Sequence, residues 1–154
     1  MKLKIAILCA VTLLNVGCTK EVSSNQATTQ AEASITPEAK SVAQVPLSGK
    51  FVAAEHPTTG MVSVVAENGK NYIELDEAFK TNNGPDLFVI FHRSEKPPIS
   101  GIKEKDYVSI GRLQKVSGTQ RYAIPANVNP ADFRSVAIWC RQFNATFGFA
   151  LLSS

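Results

Sequence analysis

The chain has 154 residues, with 16 lysines and arginines against 13 aspartates and glutamates, a formal net charge of +3 and 8% aromatic side chains. That charge is small and its lysines are scattered among acids, so the one-sided positive field that nucleic-acid binding requires is absent. Nucleic acid is therefore excluded as a partner.

The first segment, "MKLKIAILCAVTLLNVGCTK", starts with Lys2 and Lys4, runs apolar from Ile5 to Leu14 and ends in Val16-Gly17-Cys18. An apolar run of about 10 residues is too short for the roughly 20 that span a bilayer, and it suits a secretory signal. The pattern resembles the bacterial lipoprotein lipobox, with Asn15 where leucine is usual and Leu14 one position earlier. The resemblance implies a lipoprotein signal peptide over residues 1–17 and an acylated Cys18 as first mature residue. The partner is then a membrane, reached through lipid on Cys18 without a spanning helix. Thr19, not aspartate, follows the cysteine, which implies an outer membrane, periplasmic face, in a Gram-negative host. An ordinary export signal before an incidental cysteine is the alternative. Cleavage would remove Cys9 and commit Cys18 to lipid, leaving Cys140 as the one thiol and ruling out an intramolecular disulfide. Because Lys2 and Lys4 leave with the signal, the mature net charge falls from +3 to +1.

Residues 18–44 begin with Cys18 and continue as a run rich in Ser, Thr, Ala, Gln and Glu that has no aromatics and no sustained apolar period. Such a segment cannot bury enough surface to offset chain entropy, and it reads as a flexible tether with a reach of about 25–30 Å. The domain occupies residues 45–154. "SGKFVAAEH" and "GMVSVVAENGKNYIEL" read as strands, the second folded back at Asn68-Gly69, where both residues tolerate positive φ. Ile73 and Leu75 alternate with Tyr72, Glu74 and Asp76, the period of a half-exposed strand. "DLFVIF" is apolar on both faces, as a central covered strand is. "YVSIGRL", "KVSGTQRYAI", "SVAIWC" and "ATFGFALL" supply the remaining strands, with a turn at Ser117-Gly118. Helical turns are expected at "DEAFK" and at "NPADF", where Asn129 caps and Pro130 takes the first position. Short strands between regular turn signals predict an all-β fold, an antiparallel sandwich or barrel with one or two short helical turns.

In "SVAIWCRQFNATFGFALL", Val136, Ile138 and Cys140 share one face and Ala137, Trp139 and Arg141 the other. Farther on the apolar set becomes odd-numbered, at Phe143, Ala145, Phe147, Phe149 and Leu151. A change of parity needs a bulge or turn, which "RQFN" offers, so Cys140 is expected to be buried at a strand end.

"GKFVAAEHPTTGMVSVV", "NNGPDLFVIF", "GRLQKVSGTQRYAIP" and "SVAIWCRQFNATFGFALL" together resemble the DM-thirteen domain, which accompanies DOMON domains in animal cell-surface proteins and occurs in bacterial secreted proteins. The resemblance covers residues 47–152, and its most specific pieces are Gly84-Pro85-Asp86, Trp139-Cys140, Phe143-Asn144 and Phe147-Gly148. It implies electron transfer through a single cysteine, here Cys140, as a naked thiol or as ligand to a prosthetic group such as haem.

Residue by residue, a reactive or metal-binding thiolate needs a positive charge, a helix amino terminus or a metal beside it. Arg141 points to the wrong face. His56, in "AEHPTTG" and matched by a histidine in the resembled family, and His92, at the end of "DLFVIFH", could each join Cys140 as cofactor-binding residues or stand as strand-end side chains bonded to loops. Cys140 itself is a redox candidate or a small buried hydrophobe. Without C-x-x-C-H or C-x-x-C, covalent c-type haem and a thioredoxin-like dithiol are excluded. Asp86 is a calcium or proton-handling carboxylate or a backbone acceptor at a strand start; Trp139 is a binding platform or core. Two functions follow. One is an envelope-anchored redox module working with a separate redox partner protein. The other is a non-catalytic β domain binding a protein or glycan, with Cys140 as packing.

Overall fold

Period-two apolar patterning produces eight strands: β1 (Ser48–Ala53), β2 (Met61–Glu67), β3 (Lys70–Leu75), β4 (Leu87–His92), β5 (Tyr107–Arg112), β6 (Gln120–Ala123), β7 (Ser135–Cys140) and β8 (Ala145–Leu151). The computed structural model describes residues 46–154; the expected signal peptide, the lipidated Cys18 and the tether of residues 18–44 lie outside them. All pairings are antiparallel, in the order β5-β4-β7-β8-β1-β2-β3-β6. β1 makes the corner, pairing with β2 through Ser48–Lys50 and with β8 through Phe51–Ala53. The sheet curls until β5 and β6 face each other, where Gln114 N donates to the Tyr122 hydroxyl (3.0 Å) and Gln114 Nε2 to the Arg121 carbonyl (3.2 Å). The result is a nearly closed all-β barrel.

The sequence's hairpin signal holds at Asn68 (φ 51°) and Gly69 (φ 73°), both left-handed between paired Glu67 and Lys70. Ile73 and Leu75 point into the barrel, which they fill with Phe51, Phe79, Val89, Phe91, Ile138 and Cys140. The central strands are covered on both faces, as "DLFVIF" predicts. Outside β4 and β7 a smaller cluster of Ile90, Ala137 and Trp139 lies under Ile102 of the β4–β5 connection. That connection is held to β8 by Thr146 N donating to the Ile99 carbonyl (2.7 Å) and Thr146 Oγ1 to the Pro98 carbonyl (2.6 Å).

Of the two expected helical turns, "NPADF" forms a 3-10 turn at Pro130–Asp132 with Ala131 N donating to Asn129 Oδ1 (3.2 Å). "DEAFK" does not. Phe79 is drawn into the core and Lys80 bridges Thr59 and Ser117, so the segment closes in a single turn with Phe79 N donating to the Asp76 carbonyl (3.2 Å). A second 3-10 turn, unanticipated, forms at Glu104–Asp106.

The odd-numbered inward set expected after Cys140 is corrected. Arg141–Asn144 form a turn with Asn144 at φ 48°, and Phe143 projects from it, 63% exposed. A further slip lies within β8: Ile138 faces Gly148 but Trp139 faces Thr146, so Phe147 is an extra residue. Beyond it the parity reverses, with Ala150 and Leu152 inside and Leu151 outside, 45% exposed. The bulge is fixed from across β8, because the Phe147 carbonyl accepts from both Ala54 N and His56 N, each at 3.0 Å.

Candidate functional site at the Cys140 end of the barrel

Cys140 closes β7, between Leu87 of β4 and Ala145 of β8. Its thiol is free, 0% exposed and part of the apolar interior that includes Leu87 and Phe147. Among the described residues no group of three or more histidines, cysteines, aspartates or glutamates is placed to hold a metal ion.

His56 lies at the same end. Its ring packs on Phe147 (centroids 3.9 Å apart), Asn82 Nδ2 donates to its Nδ1 (3.4 Å), and its loop is pinned by the buried Thr58, whose Oγ1 meets Thr81 Oγ1 at 3.0 Å. Because His56 hydrogen-bonds β8 from the side opposite β7, its backbone stands at least two strand spacings, about 10 Å, from that of Cys140. Phe147 presents its ring to this histidine and its tip to Gly84, where a Cβ would come within 2.9 Å of the ring.

The structure does not bring His92 to Cys140. On the β4–β7 ladder Leu87 faces Cys140 and His92 faces Ser135, five positions along. At the strand rise that is roughly 17 Å, so the two cannot share one ion. His92 is 2% exposed; its Nδ1 accepts from Ser94 N (3.0 Å), and its Nε2 is buried without a partner. Burial pushes its pKa below the ordinary histidine value, partly countered by the negative charge of Asp106.

Asp86 is neither a strand-start backbone acceptor through its side chain nor a free carboxylate. It pairs with Arg112 and with Arg141 (Nε–Oδ2 2.8 Å), and both guanidiniums lie over Phe88, at 5.4 and 4.6 Å from the ring centroid. Arg141 is thereby held on the outer face, away from the thiol. Trp139 is core and not a platform: it is 4% exposed, and its Nε1 donates to Asn144 Oδ1 (3.0 Å). Asn82, Arg112 and Tyr107 are not legible in the sequence because their partners are distant in the chain, and neither is the pairing of Thr58 with Thr81.

A cleft of about 430 Å³ opens beside this end, lined by Asn83, Gly84, Leu87, Arg112, Leu113 and Val116 among others. Its size suits a small ligand. Leu87 is one of its lining residues, and Cys140 is not in its walls. An axial thiolate needs open space beyond the sulfur for iron and macrocycle. A thiol 0% exposed within the packed interior offers none, so these residues do not fit a haem ligated by Cys140.

Compared with known proteins, residues 50–152 match the family model described as electron transfer DM13. No curated protein and no solved structure matches the chain.

Proposed function

The chain belongs to the electron transfer DM13 family, and on that premise we propose that it is a lipid-tethered module of the cell envelope that exchanges single electrons with a partner protein through Cys140, used as a naked thiol. The observation that carries the choice of Cys140 is its position: an unpaired sulfur, wholly buried, one residue before an exposed turn. Electrons tunnel over short gaps without contact, whereas peroxides and other thiols must touch sulfur to oxidise it further or exchange with it. Burial at a strand end permits the first and blocks the second. In the step, the Cys140 thiol gives one electron to a one-electron acceptor in the partner, a high-potential metal centre, and its proton to water, leaving a thiyl radical. The reverse step restores the S–H. The envelope tether rests on the lipobox-like sequence ending at Cys18.

The apolar surroundings of the thiol favour a second reading, a non-catalytic binding module in which Cys140 is packing. Film voltammetry of the exported full-length protein, supplied with haem during expression, separates the two when run beside a Cys140→Ala twin. The redox reading expects a one-electron wave in the parent that the twin lacks, and no Soret absorption that depends on Cys140. Absence of the wave from both proteins would move the binding module ahead, and a Soret band in the parent alone would overturn the naked-thiol assignment.

A further inference from the structure

Cys140 faces the barrel interior, but the neighbouring residue faces out. Trp139 lies on the outer wall in the cluster with Ile90, Ala137 and Ile102, and its ring centroid is 4.9 Å from that of Tyr107. Tyr107 opens β5 and is only partly buried. The outer wall therefore holds, in sequence from the thiol, one peptide unit, a buried indole, an aromatic contact and a phenol that reaches solvent. Indole and phenol are the two side chains, besides thiol, that are most readily oxidised by one electron.

We infer that Trp139 and Tyr107 form the path by which electrons leave Cys140 for the surface, making the Tyr107 edge of the barrel the face that meets the redox partner. This rests on the reading of Cys140 as redox centre. A one-electron oxidant of the partner, a high-potential metal centre, takes an electron from Tyr107, whose O–H proton passes to water. Tyr107 is then refilled from Trp139, and the phenol recovers a proton from water. The indole becomes a radical cation, because its Nε1–H is held by the Asn144 Oδ1 (3.0 Å), an amide oxygen too weakly basic to take the proton. Trp139 is refilled in turn from Cys140, whose S–H proton leaves to water, so the net change is one electron and one proton lost from the thiol. Asn144 is itself fixed, its Nδ2 donating to the Ile102 carbonyl (3.1 Å), and it clamps the indole under the β4–β5 connection. That clamp keeps the ring stationary between its neighbours, the condition under which a relay gives a reproducible rate.

The composition makes the test clean, since the chain has a single tryptophan and three tyrosines. Any indolyl radical is Trp139. Pulse radiolysis with azidyl radicals, which oxidise phenols and indoles, is applied to the exported full-length protein, to Tyr107→Phe, which keeps the ring and removes the oxidisable hydroxyl, and to Cys140→Ala. The parent is expected to form the indolyl radical and lose it in a first-order phase independent of protein concentration. Tyr107→Phe is expected to cut indolyl yield to a small fraction, because the indole is shielded from bulk radicals. Cys140→Ala is expected to lengthen the indolyl lifetime by an order of magnitude or more. Unchanged yield in Tyr107→Phe overturns the path, whatever Cys140→Ala does. A reduced yield in Tyr107→Phe with an unchanged lifetime in Cys140→Ala overturns instead the thiol as the inner terminus, and with it the reading on which the path rests.

Discussion

Cys140 and His92 are both buried and both carry chemistry, and their burial costs differ. A thiol is a weak donor that behaves as a small hydrophobe, so enclosing Cys140 without a partner is cheap. An imidazole N–H left unpaired costs about 1–3 kcal/mol. With Nδ1 accepting from Ser94 N, the neutral ring carries its proton on Nε2, the atom with no acceptor among the described residues. A second proton would add a charge 2% exposed, which is why burial lowers the pKa. A depressed folded pKa means that the unfolded chain binds the proton first. The stability His92 protects is complete above the ordinary histidine value of 6.5 and is lost as pH falls from there through the lowered folded value. Urea unfolding between about pH 7 and about pH 5 should show falling stability in the parent. His92→Asn, whose Oδ1 can replace Nδ1 as acceptor for Ser94 N, should flatten that slope, and an equal slope in both proteins would clear His92 of the effect.

At the scale of elements the telling strand is β8. Gly148 follows the bulged Phe147, and a Cβ there would collide with the Thr58 side chain and come within 2.8 Å of the Val52 carbonyl. Those atoms belong to backbone and to a threonine buried on Thr81, neither free to yield. Gly148→Ala should therefore cost about 1–3 kcal/mol in denaturant unfolding and loosen the loop that carries His56, seen as faster amide exchange at Ala54 and His56. A stability within error of the parent would mean that the β1 corner gives way easily. Gly148 also marks the limit of what the sequence can be asked. Ile73, Leu75 and the Asn68-Gly69 turn are legible because period and turn chemistry are local. The parity break after Cys140 is legible too, but its form is not. The turn at Arg141–Asn144 absorbs one irregularity, and the second sits at Phe147 because N–H groups from residues 54 and 56 bond its carbonyl. The same limit hides the separation of His92 from Cys140, which is fixed by the β4–β7 register and not by either residue's neighbours.

For the molecule as a whole, the open question for a curled sheet is its seam. β5 and β6 are the terminal strands of the order, and a row of unpaired backbone groups on each would invite other chains. Here side chains close the gap. Tyr122 lies inside the seam, 6% exposed, with Gln114 N donating to its hydroxyl and the hydroxyl donating to Gln120 Oε1 at 2.6 Å. Gln120 in turn takes Lys115 N (3.2 Å) and gives to the Lys115 carbonyl (2.8 Å), so one phenol and one amide tie down the whole Gln114–Lys115 corner. Burial raises the Tyr122 pKa above the ordinary tyrosine value, which keeps the hydroxyl protonated as donor through the neutral range. Tyr122→Phe retains the ring that packs beneath Gly111 but leaves the Gln114 N–H without its acceptor. The expected cost is about 1–2 kcal/mol, with exchange of the Gln114 amide accelerated more than amides in β7, where every residue is buried and each neighbour is a strand. If the seam is what shields the strand edges, the variant should also associate at protein concentrations where the parent stays monodisperse in light scattering. A loss of stability without faster exchange at Gln114 would place the cost in the core and leave closure to the backbone alone.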